Sequence, residues 1–352
     1  MAPPSRMEGF REGRGWGRIP PVLLHGGRRK HMPTFYKYYN CFVESLILNP
    51  TIKLASPIKL NDPFEKTISN DIIKQFREST DNKRNLYEVK RECEEYLHTS
   101  GVISLTENPR SLLMWAHYGN DHKGICIGYK SDFLTKKENK PLPASRPFNT
   151  YPIKVNYDKV RFDEYTDNFG DLNNEELLNK ILIKTLTTKG DDWIYEKEHR
   201  CILPIEWCDK LIISEPQKKE DESEHYWVVK EAIKRKIINK GKDGFYHPKG
   251  DMPDSTIKYI SRIDEVTILK NIDSSSITSI FIGCEASSKL VSGIKETIRR
   301  NRKELGHIKL FKYKKDRSKF EISIIEIDPF ATIGKMFRIK TSKEEIEERV
   351  FG

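Results

Sequence analysis

The sequence predicts an α+β fold, with short mixed sheets flanked by helices in a single extended domain and a small α/β part near the C-terminal end. Short strand and helix patterns alternate irregularly along the 352 residues, and no Gly-x-Gly-x-x-Gly or Gly-Lys-Ser/Thr fingerprint follows any of the strands. A doubly wound nucleotide-binding fold is therefore disfavoured. The chain is 37% hydrophobic and 32% charged, which is typical of a globular protein rather than a disordered one.

Apolar periodicity and turn residues define the predicted elements. Residues 71–98 are predicted to form one long helix, because Leu86, Val89, Cys93 and Leu97 make a single apolar stripe. The other helices are predicted over 42–48, 111–118, 175–188 and 287–302. The strands are predicted over 36–39, 52–56, 102–105, 124–129, 154–157, the second part of 193–205, 279–282, 308–313 and 320–327.

Composition divides the chain into five segments. Residues 1–31 contain seven Lys or Arg and two Glu, together with many Gly and Pro, and have no apolar periodicity. They are predicted to be a disordered leader or an added extension, with the native start at Met32. The remaining segments are a main α+β domain containing the site (32–213), a polar insertion (214–257), a C-terminal α/β part of the same domain (258–330) and a charged tail (331–352).

Several protein classes are excluded or disfavoured at this stage. No apolar run approaches the ~20 residues that a membrane-spanning helix needs, so no membrane partner is expected. The six cysteines form no Cys-x-x-Cys pair, which argues against a disulfide framework and structural zinc and favours reduced thiols in the cytoplasm. The net charge of +10 suggests an anionic partner, but half of it lies in residues 1–31, so nucleic-acid binding is allowed and not required.

The most informative segment is 193–203. If a strand begins near Tyr195, Glu196, Glu198 and Arg200 share one face of it. Two carboxylates and a guanidinium do not suit a dry core, so this face is expected to meet solvent or line a cleft. Two interpretations remain open: an exposed edge strand with a carboxylate–Arg pair, or a catalytic Glu-x-Glu strand in which Arg200 orients a carboxylate.

Two further segments carry candidate binding residues. Residues 111–124 place two aromatic rings and two histidines around a turn, which suits a pocket wall but also an ordinary core or surface; the candidates are Trp115, His117, Tyr118 and His122. Their spacing does not complete a metal site, and no metal is expected. Residues 56–65 form a turn that could hold a ligand, with Ser56, Asn61 and Asp62 as candidates.

These segments, in this order, resemble a bacterial family known as domain of unknown function 2971. The matching pieces are residues 36–38, 60–64, 114–118, 122–124 and 193–200, with 279–283 similar to the family's late strand. His199 stands where the family commonly has an aromatic residue, and Cys284 where proline is usual. Some members lie near phage-defence genes, so the resemblance implies a toxin-like effector in anti-phage defence.

The order of these segments is also distantly similar to that of an ADP-ribosyltransferase. That resemblance implies NAD as the substrate, with Glu198 stabilising the oxocarbenium-like state and Glu196 positioning or deprotonating the acceptor. Tyr36, Tyr38 or Trp115 would stack on nicotinamide or adenine, and His117 or Arg200 would hold a phosphate or ribose. We expect Glu198 to be the more important carboxylate, and Glu198→Gln to leave stability nearly unchanged.

Three functions are therefore considered. The first is an ADP-ribosyltransferase or NAD glycohydrolase that acts on a nucleotide, with a possible protein or nucleic-acid acceptor. The second is a nuclease or other hydrolase that uses Asp62, His117 and Glu198 with a divalent metal. The third is a non-catalytic module that senses a nucleotide or a phage protein.

Overall fold

Two open β-sheets, a short third sheet and the helices around them make up the part of the chain that the computed structural model describes. The described residues are 32–79, 85–134, 142, 146–162, 173–215, 225–250 and 252–331, and residues from Pro33 onward belong to one compact unit. The mixture of helices with open sheets confirms the α+β prediction. The predicted leader at 1–31 and all but the first residue of the predicted tail lie outside the described residues.

The larger sheet has eight strands in the order β15-β14-β13-β4-β1-β3-β8-β5, and it carries the candidate site. A second sheet has the order β10-β11-β9-β12-β2, and β6 pairs with β7. The strands are β1 Thr34–Tyr39, β2 Thr51–Lys53, β3 Ser100–Thr106, β4 Ile125–Lys130, β5 Asn149–Lys154, β6 Asn156–Asp158, β7 Thr188–Gly190, β8 Glu198–Pro204, β9 Lys210–Ile213, β10 Ile238–Lys240, β11 Tyr246–Pro248, β12 Val266–Asn271, β13 Ile277–Ile282, β14 Lys309–Lys315 and β15 Ile322–Ile327.

Several helices begin at a residue whose side chain caps the first turn. Ser111 accepts a hydrogen bond from the Met114 amide, and Asn173 and Glu176 form a reciprocal capping box. The α-helices are α1 Ser45–Leu48, α2 Asn70–Ser79, α3 Leu86–Thr99, α4 Leu112–Tyr118, α5 Asn174–Thr187, α6 Tyr226–Lys234, α7 Asp254–Ile260, α8 Ser288–Arg300 and α9 Arg302–Leu305. Short 3₁₀ helices at Pro63–Lys66 and Asp191–Glu196 flank the site.

The predicted helix over 71–98 is wrong as a single element. Asn85 has an extended backbone and its side chain accepts a hydrogen bond from the Tyr87 amide, so a new helix, α3, begins at Leu86. The apolar stripe that supported the prediction lies within α3 alone, and Val89, Cys93 and Leu97 are buried there.

The segment 214–257, predicted as a polar insertion, contributes several of its described residues to the core. Helix α6 buries Tyr226, Val229 and Ala232, and Ile238 of β10 is also buried. These side chains belong to a buried cluster that also contains residues from both of the larger sheets. Few apolar residues suffice here, because α6 buries only one face.

The C-terminal strands complete the eight-stranded sheet. Strands β13 and β14 are parallel and are joined through α8 and α9, and β15 returns antiparallel to β14. Because β13 also pairs with β4, the predicted C-terminal α/β part shares its sheet with the segment that contains the site.

A left-handed turn after α4 packs against the end of β13. Asn120, Asp121 and His122 have positive φ values of 49°, 49° and 65°, a conformation that costs free energy in residues other than glycine. The His122 carbonyl accepts a hydrogen bond from the Glu285 amide. A Cβ atom at Gly283 would collide with this same carbonyl, so the close approach requires glycine.

Gly283→Ala is therefore expected to lower the free energy of unfolding by about 1–3 kcal/mol, as for other overpacked sites. Gly293→Ala is the matched control. Gly293 lies in the middle of α8 on its exposed face, and no atom lies within 4 Å of a Cβ placed there. This substitution should raise stability by about 1 kcal/mol. Urea unfolding of both variants tests this, and equal stability of Gly283→Ala and the wild type would show that the close approach is not made.

Candidate functional site

A cavity of about 210 Å³ opens where strands β1 and β3 separate. These neighbours share one registered pair, Tyr36 with Thr106, whereas β1 is paired with β4 and β3 with β8 along nearly their whole lengths. The Lys37 ammonium donates a hydrogen bond to the Ser104 carbonyl oxygen at 2.8 Å. A side chain therefore satisfies a backbone acceptor beyond the last ladder pair.

The cavity has residues from both faces of the sheet in its wall. Strand alternation and register place Tyr36, Thr106 and Glu198 on one face and Lys37 and Leu105 on the other. The full lining is Tyr36, Lys37, Tyr38, Lys53, Ala55, Lys59, Leu60, Asn61, Ser104, Leu105, Thr106, Met114, Tyr118, Lys189, Glu196 and Glu198. Four lysines and two glutamates make this wall strongly charged.

Behind the cavity, Arg200 is completely buried, with 0% of its surface exposed. Its Nε and Nη2 donate to the two carboxylate oxygens of Glu198, both at 2.8 Å. Nη1 donates to the Leu186 carbonyl at 2.7 Å, and Nη2 also donates to Glu65. All three guanidinium nitrogens are thus used in holding β8, the end of α5 and the 3₁₀ helix at Pro63–Lys66 together.

The charge of Arg200 fixes the ionisation of Glu198. Burial alone would raise the pKa of this carboxyl, but the charge and hydrogen bonds of Arg200, helped by Lys189 and the Ser104 hydroxyl, lower it to about 2. Burial raises the pKa of Glu65, which Arg200 and Lys189 only partly offset. The second oxygen of Glu65, Oε2, is buried and has no hydrogen-bond partner among the described residues.

Lys189 connects the two carboxylates of the cavity wall. Its ammonium lies 2.7 Å from Glu196 Oε2 and 3.5 Å from Glu198 Oε2, and 4.4 Å from the centre of the Trp193 ring. It also donates to Asn61 Oδ1 at 3.3 Å. The Lys189 side chain is 1% exposed, so this ion pair is shielded from solvent and salt.

On the solvent side, Tyr118 and Asn61 complete the environment of Glu196. The Tyr118 hydroxyl donates to Glu196 Oε1 at 2.6 Å, and Asn61 Nδ2 donates to the Tyr118 oxygen at 2.6 Å. Burial and the hydrogen bond to Glu196 raise the pKa of Tyr118. The phenol therefore remains protonated and keeps one oxygen of Glu196 as its acceptor.

The expectation that Glu196 shares a strand face with Glu198 is wrong. Glu196 ends the 3₁₀ helix Asp191–Glu196, and Lys197 has a left-handed φ of 44°, so β8 begins only at Glu198. Lys197 turns the chain at this point. Glu196 therefore reaches Lys189 from the 3₁₀ helix, and Glu198 reaches it from β8. The exposed-edge interpretation is also wrong, because β8 lies between β3 and β5 and all its residues are buried.

The structure brings about half of the candidate residues to the cavity. Those in its wall are Tyr36, Tyr38, Asn61, Tyr118, Glu196 and Glu198. Arg200 is not in the wall itself but binds Glu198, which is. Asp62 caps the 3₁₀ helix at Pro63–Lys66 by accepting from the Phe64 amide and lines a neighbouring cavity instead. Ser56 is buried outside the lining, and its hydroxyl has no partner among the described residues.

Three residues of the 111–124 segment do not line the cavity. Trp115 is fully buried, donates from Nε1 to the Pro109 carbonyl at 2.9 Å and packs edge-on against Tyr38, so it cannot stack on a ligand. His117 is exposed and contacts the Tyr195 ring. His122 belongs to the left-handed turn. The two histidines are therefore surface and turn residues in this structure.

Sequence reasoning gave no role to the lysines of the cavity or to Glu65. Lys37 lies on a strand whose tyrosines were the candidates, and Lys189 follows α5 in a short turn-like sequence. A single lysine in such a context is ordinarily solvated. Lys37 is distinguished by its contact with Ser104, 67 positions later, and Lys189 by its burial against Glu196 and Glu198, seven and nine positions later. Glu65 lies within the 56–65 turn and pairs with Arg200, 135 positions later in the chain. No pattern in the neighbouring sequence indicates such a distant partner.

Neither a metal-binding cluster nor a membrane span is found within the described ranges. In these ranges, no three His, Cys, Asp or Glu side chains form a group that could hold a metal ion. No helix there combines the length and the apolar character that crossing a bilayer requires.

Comparison with known proteins gives a partial family match. The model of a protein of unknown function, DUF2971, matches residues 114–201. This supports the resemblance inferred from the sequence over a segment that contains Tyr118, Lys189, Glu196, Glu198 and Arg200. No curated protein and no solved structure matches the chain, and no comparison supports the resemblance to an ADP-ribosyltransferase.

The pairing of Glu198 with Arg200 corrects the expectation that Glu198→Gln leaves stability unchanged. Removing one partner of a buried ion pair costs about 3–5 kcal/mol, and we expect a loss of this order at pH 7. Because the pKa of Glu198 is about 2 in the folded protein against 4.5 ordinarily, its stabilisation is present above pH 4.5 and is lost as the pH falls toward 2.

Urea unfolding between pH 7 and pH 3 tests this expectation. The wild type should lose stability more steeply with falling pH than Glu198→Gln. Glu107→Gln is the control, because the Glu107 side chain is 40% exposed and, among the described residues, its ion contacts to Lys197 and His199 are 3.8 and 3.9 Å long. Parallel pH profiles for the wild type and Glu198→Gln would show that the pair does not hold Glu198 ionised.

Proposed function

We propose that the cavity binds a nucleotide and cleaves its N-glycosidic bond, with NAD as the substrate. The observation that carries this proposal is the arrangement of charge in the wall. Two buried carboxylates, Glu196 and Glu198, are joined by Lys189 on one side, and Lys37 and Lys53 lie in the same wall. A nucleotide has groups that match this wall: its ribose with the leaving base matches the carboxylates, and the adjoining phosphate matches the lysines.

The chemistry requires a fixed anion beside a developing cation. Loss of nicotinamide leaves positive charge on the ribose ring oxygen and its anomeric carbon, as in glycoside hydrolysis. A carboxylate that is already ionised and held in place stabilises that charge without reorganisation. Water then bonds to the anomeric carbon and gives its proton to a carboxylate, so NAD and water yield ADP-ribose, nicotinamide and a proton.

The two carboxylates suit different roles. Both oxygens of Glu198 are bound by Arg200, so Glu198 supplies a constant charge and positions its neighbours. Glu196 is held by Tyr118 and Lys189, one at each oxygen, and the Tyr118 hydroxyl lies on the solvent side. Asn61 Nδ2 also donates to the Glu196 oxygen that Tyr118 binds, at 3.5 Å. A ribose hydroxyl or water can replace these two contacts, whose donors are not buried. The geometry therefore favours Glu196, rather than Glu198, as the carboxylate that contacts the substrate.

The size of the cavity limits which part of the substrate enters. At about 210 Å³ it is smaller than the ~300–1,000 Å³ of typical drug-sized ligand pockets. One ribose with an attached group fits inside, and the remainder of a dinucleotide extends past Asn61 and Tyr118 to the surface. An acceptor, whether water, a protein or a nucleic acid, would reach the anomeric carbon from the same side.

One observation favours a second function, a non-catalytic module that senses a nucleotide. Every oxygen of Glu196 and Glu198 already has a protein partner within 2.8 Å, which is the arrangement of a rigid binding wall. In that case a nucleotide binds and is not consumed. The family resemblance adds the proposal that either activity serves anti-phage defence in bacteria.

Incubation of the purified protein with NAD, followed by mass spectrometry of the products, tests the first function. We expect release of nicotinamide, and a fall of about 10²–10³ in rate for Glu196→Gln, typical of losing one electrostatic group. Glu196→Gln also removes one partner of the buried ion pair with Lys189, so its melting temperature should fall, and the rates are compared at a temperature where circular dichroism shows both proteins folded.

The control is again Glu107→Gln, which should turn over NAD like the wild type. Binding of ADP-ribose, measured by calorimetry, separates the two functions. Tight binding without NAD consumption would support the sensing module and contradict the enzyme. Turnover by Glu196→Gln at the wild-type rate would also contradict the catalytic role.

A further inference from the structure

Two lysines of the cavity wall, Lys37 and Lys53, have neither a salt bridge nor more than one hydrogen bond among the described residues. Lys189 is paired with Glu196 and Glu198. The Lys59 ammonium is bound by the carbonyls of Ile263 and Val266. Lys37, by contrast, donates only to the neutral Ser104 carbonyl, and within the described part of the chain neither Lys37 nor Lys53 forms a salt bridge.

The two ammoniums come to the cavity from different sheets. Lys37 belongs to β1 of the eight-stranded sheet and Lys53 to β2 at the edge of the five-stranded sheet. Ala55, which follows β2, forms an isolated bridge with Val102 of β3. That bridge holds the end of β2 beside the gap between β1 and β3, so like charges converge where the sheet opens.

We propose that Lys37 and Lys53 form a subsite for the phosphate or diphosphate group of the ligand. This inference rests on the proposed function and identifies the part of a nucleotide that enters the opening between β1 and β3. It also replaces Arg200 and His117 as expected phosphate ligands. All nitrogens of Arg200 are used by Glu65, Glu198 and Leu186, and His117 is outside the lining.

The electrostatics of Lys37 support this assignment. Burial lowers the pKa of Lys37 to about 8; the charge of Glu198 offsets part of this effect, and the nearby charge of Lys53 adds to it. A dianion between the two ammoniums opposes both lowering effects, because it attracts each positive charge and offsets the repulsion between them. Binding should therefore raise the pKa of Lys37, so a phosphate ligand takes up protons from solution near pH 8.

A phosphate suits this place better than a single carboxylate. Lysine is a point-charge donor without the planar fork that matches a carboxylate. A phosphate offers several oxygens with two charges and can be reached from two directions at once. The lysines approach from two sheets, which fits a tetrahedral group rather than a planar one.

Calorimetric titration with inorganic pyrophosphate at pH 8, in buffers of different ionisation enthalpy, tests the subsite. We expect binding with proton uptake by the wild type. Lys37→Gln and Lys53→Gln should each weaken binding at least about tenfold, the effect of one charged hydrogen bond. Lys90→Gln is the control, since Lys90 is exposed on α3, and it should bind like the wild type.

Lys37→Arg separates charge from structure. Its guanidinium keeps the positive charge but does not titrate near pH 8, so this variant should bind pyrophosphate with no proton uptake. ADP titrated in parallel identifies the source of the phosphate. Tighter binding of ADP assigns the subsite to a nucleotide, and equal affinity assigns it to a free diphosphate.

The outcomes separate this inference from the proposed function. Pyrophosphate binding that depends on Lys37, in a protein that does not consume NAD, supports the subsite and contradicts the enzyme. NAD turnover by a folded Lys37→Gln with wild-type KM contradicts the subsite alone. Absence of pyrophosphate binding to the wild type, or equal binding and proton uptake by Lys37→Gln, overturns the inference.

Discussion

The buried guanidinium of Arg200 is the constraint on which the arrangement of the site depends. A charge with no exposed surface must be surrounded by acceptors, and the chain supplies them from three places: Glu65, Glu198 and the carbonyl of Leu186. The 3₁₀ helix at Pro63–Lys66, strand β8 and the end of α5 therefore have to meet at one point. Lys189, directly after α5, is thereby brought between Glu198 and Glu196.

The second determinant is the separation of β1 from β3. A continuous ladder would fill the space that the cavity occupies, and Lys37 could not reach the Ser104 carbonyl. The aromatic cluster of Tyr36, Tyr38 and Trp115 supports β1 on the side where it remains paired with β4. Arg200 supports the opposite wall. The cavity thus lies between an apolar cluster and an ionic one, each of which holds a different strand.

The fold class and most C-terminal elements follow from the sequence, because β13, α8, β14 and β15 show clear apolar periods. The site is only partly predictable. The Tyr-Glu-x-Glu-x-Arg pattern at 195–200 indicates the carboxylates, yet the left-handed Lys197 that separates Glu196 from the strand has no signal of its own. Lys37 and Glu65 have partners 67 and 135 positions away, and periodicity reports only local neighbours. Lys189 is close in sequence to Glu196 and Glu198, but its contact with both depends on the turn at Lys197.

A double-mutant cycle between Glu65 and Arg200, measured as free energies of unfolding in urea at pH 7, tests the central claim most directly. If Arg200 ties the 3₁₀ helix to β8, Glu65→Gln and Arg200→Met each destabilise the protein. The double variant then loses less than the sum, with a coupling of about 1–3 kcal/mol. Effects that add to within about 0.5 kcal/mol would contradict the account, because the two residues would then act independently.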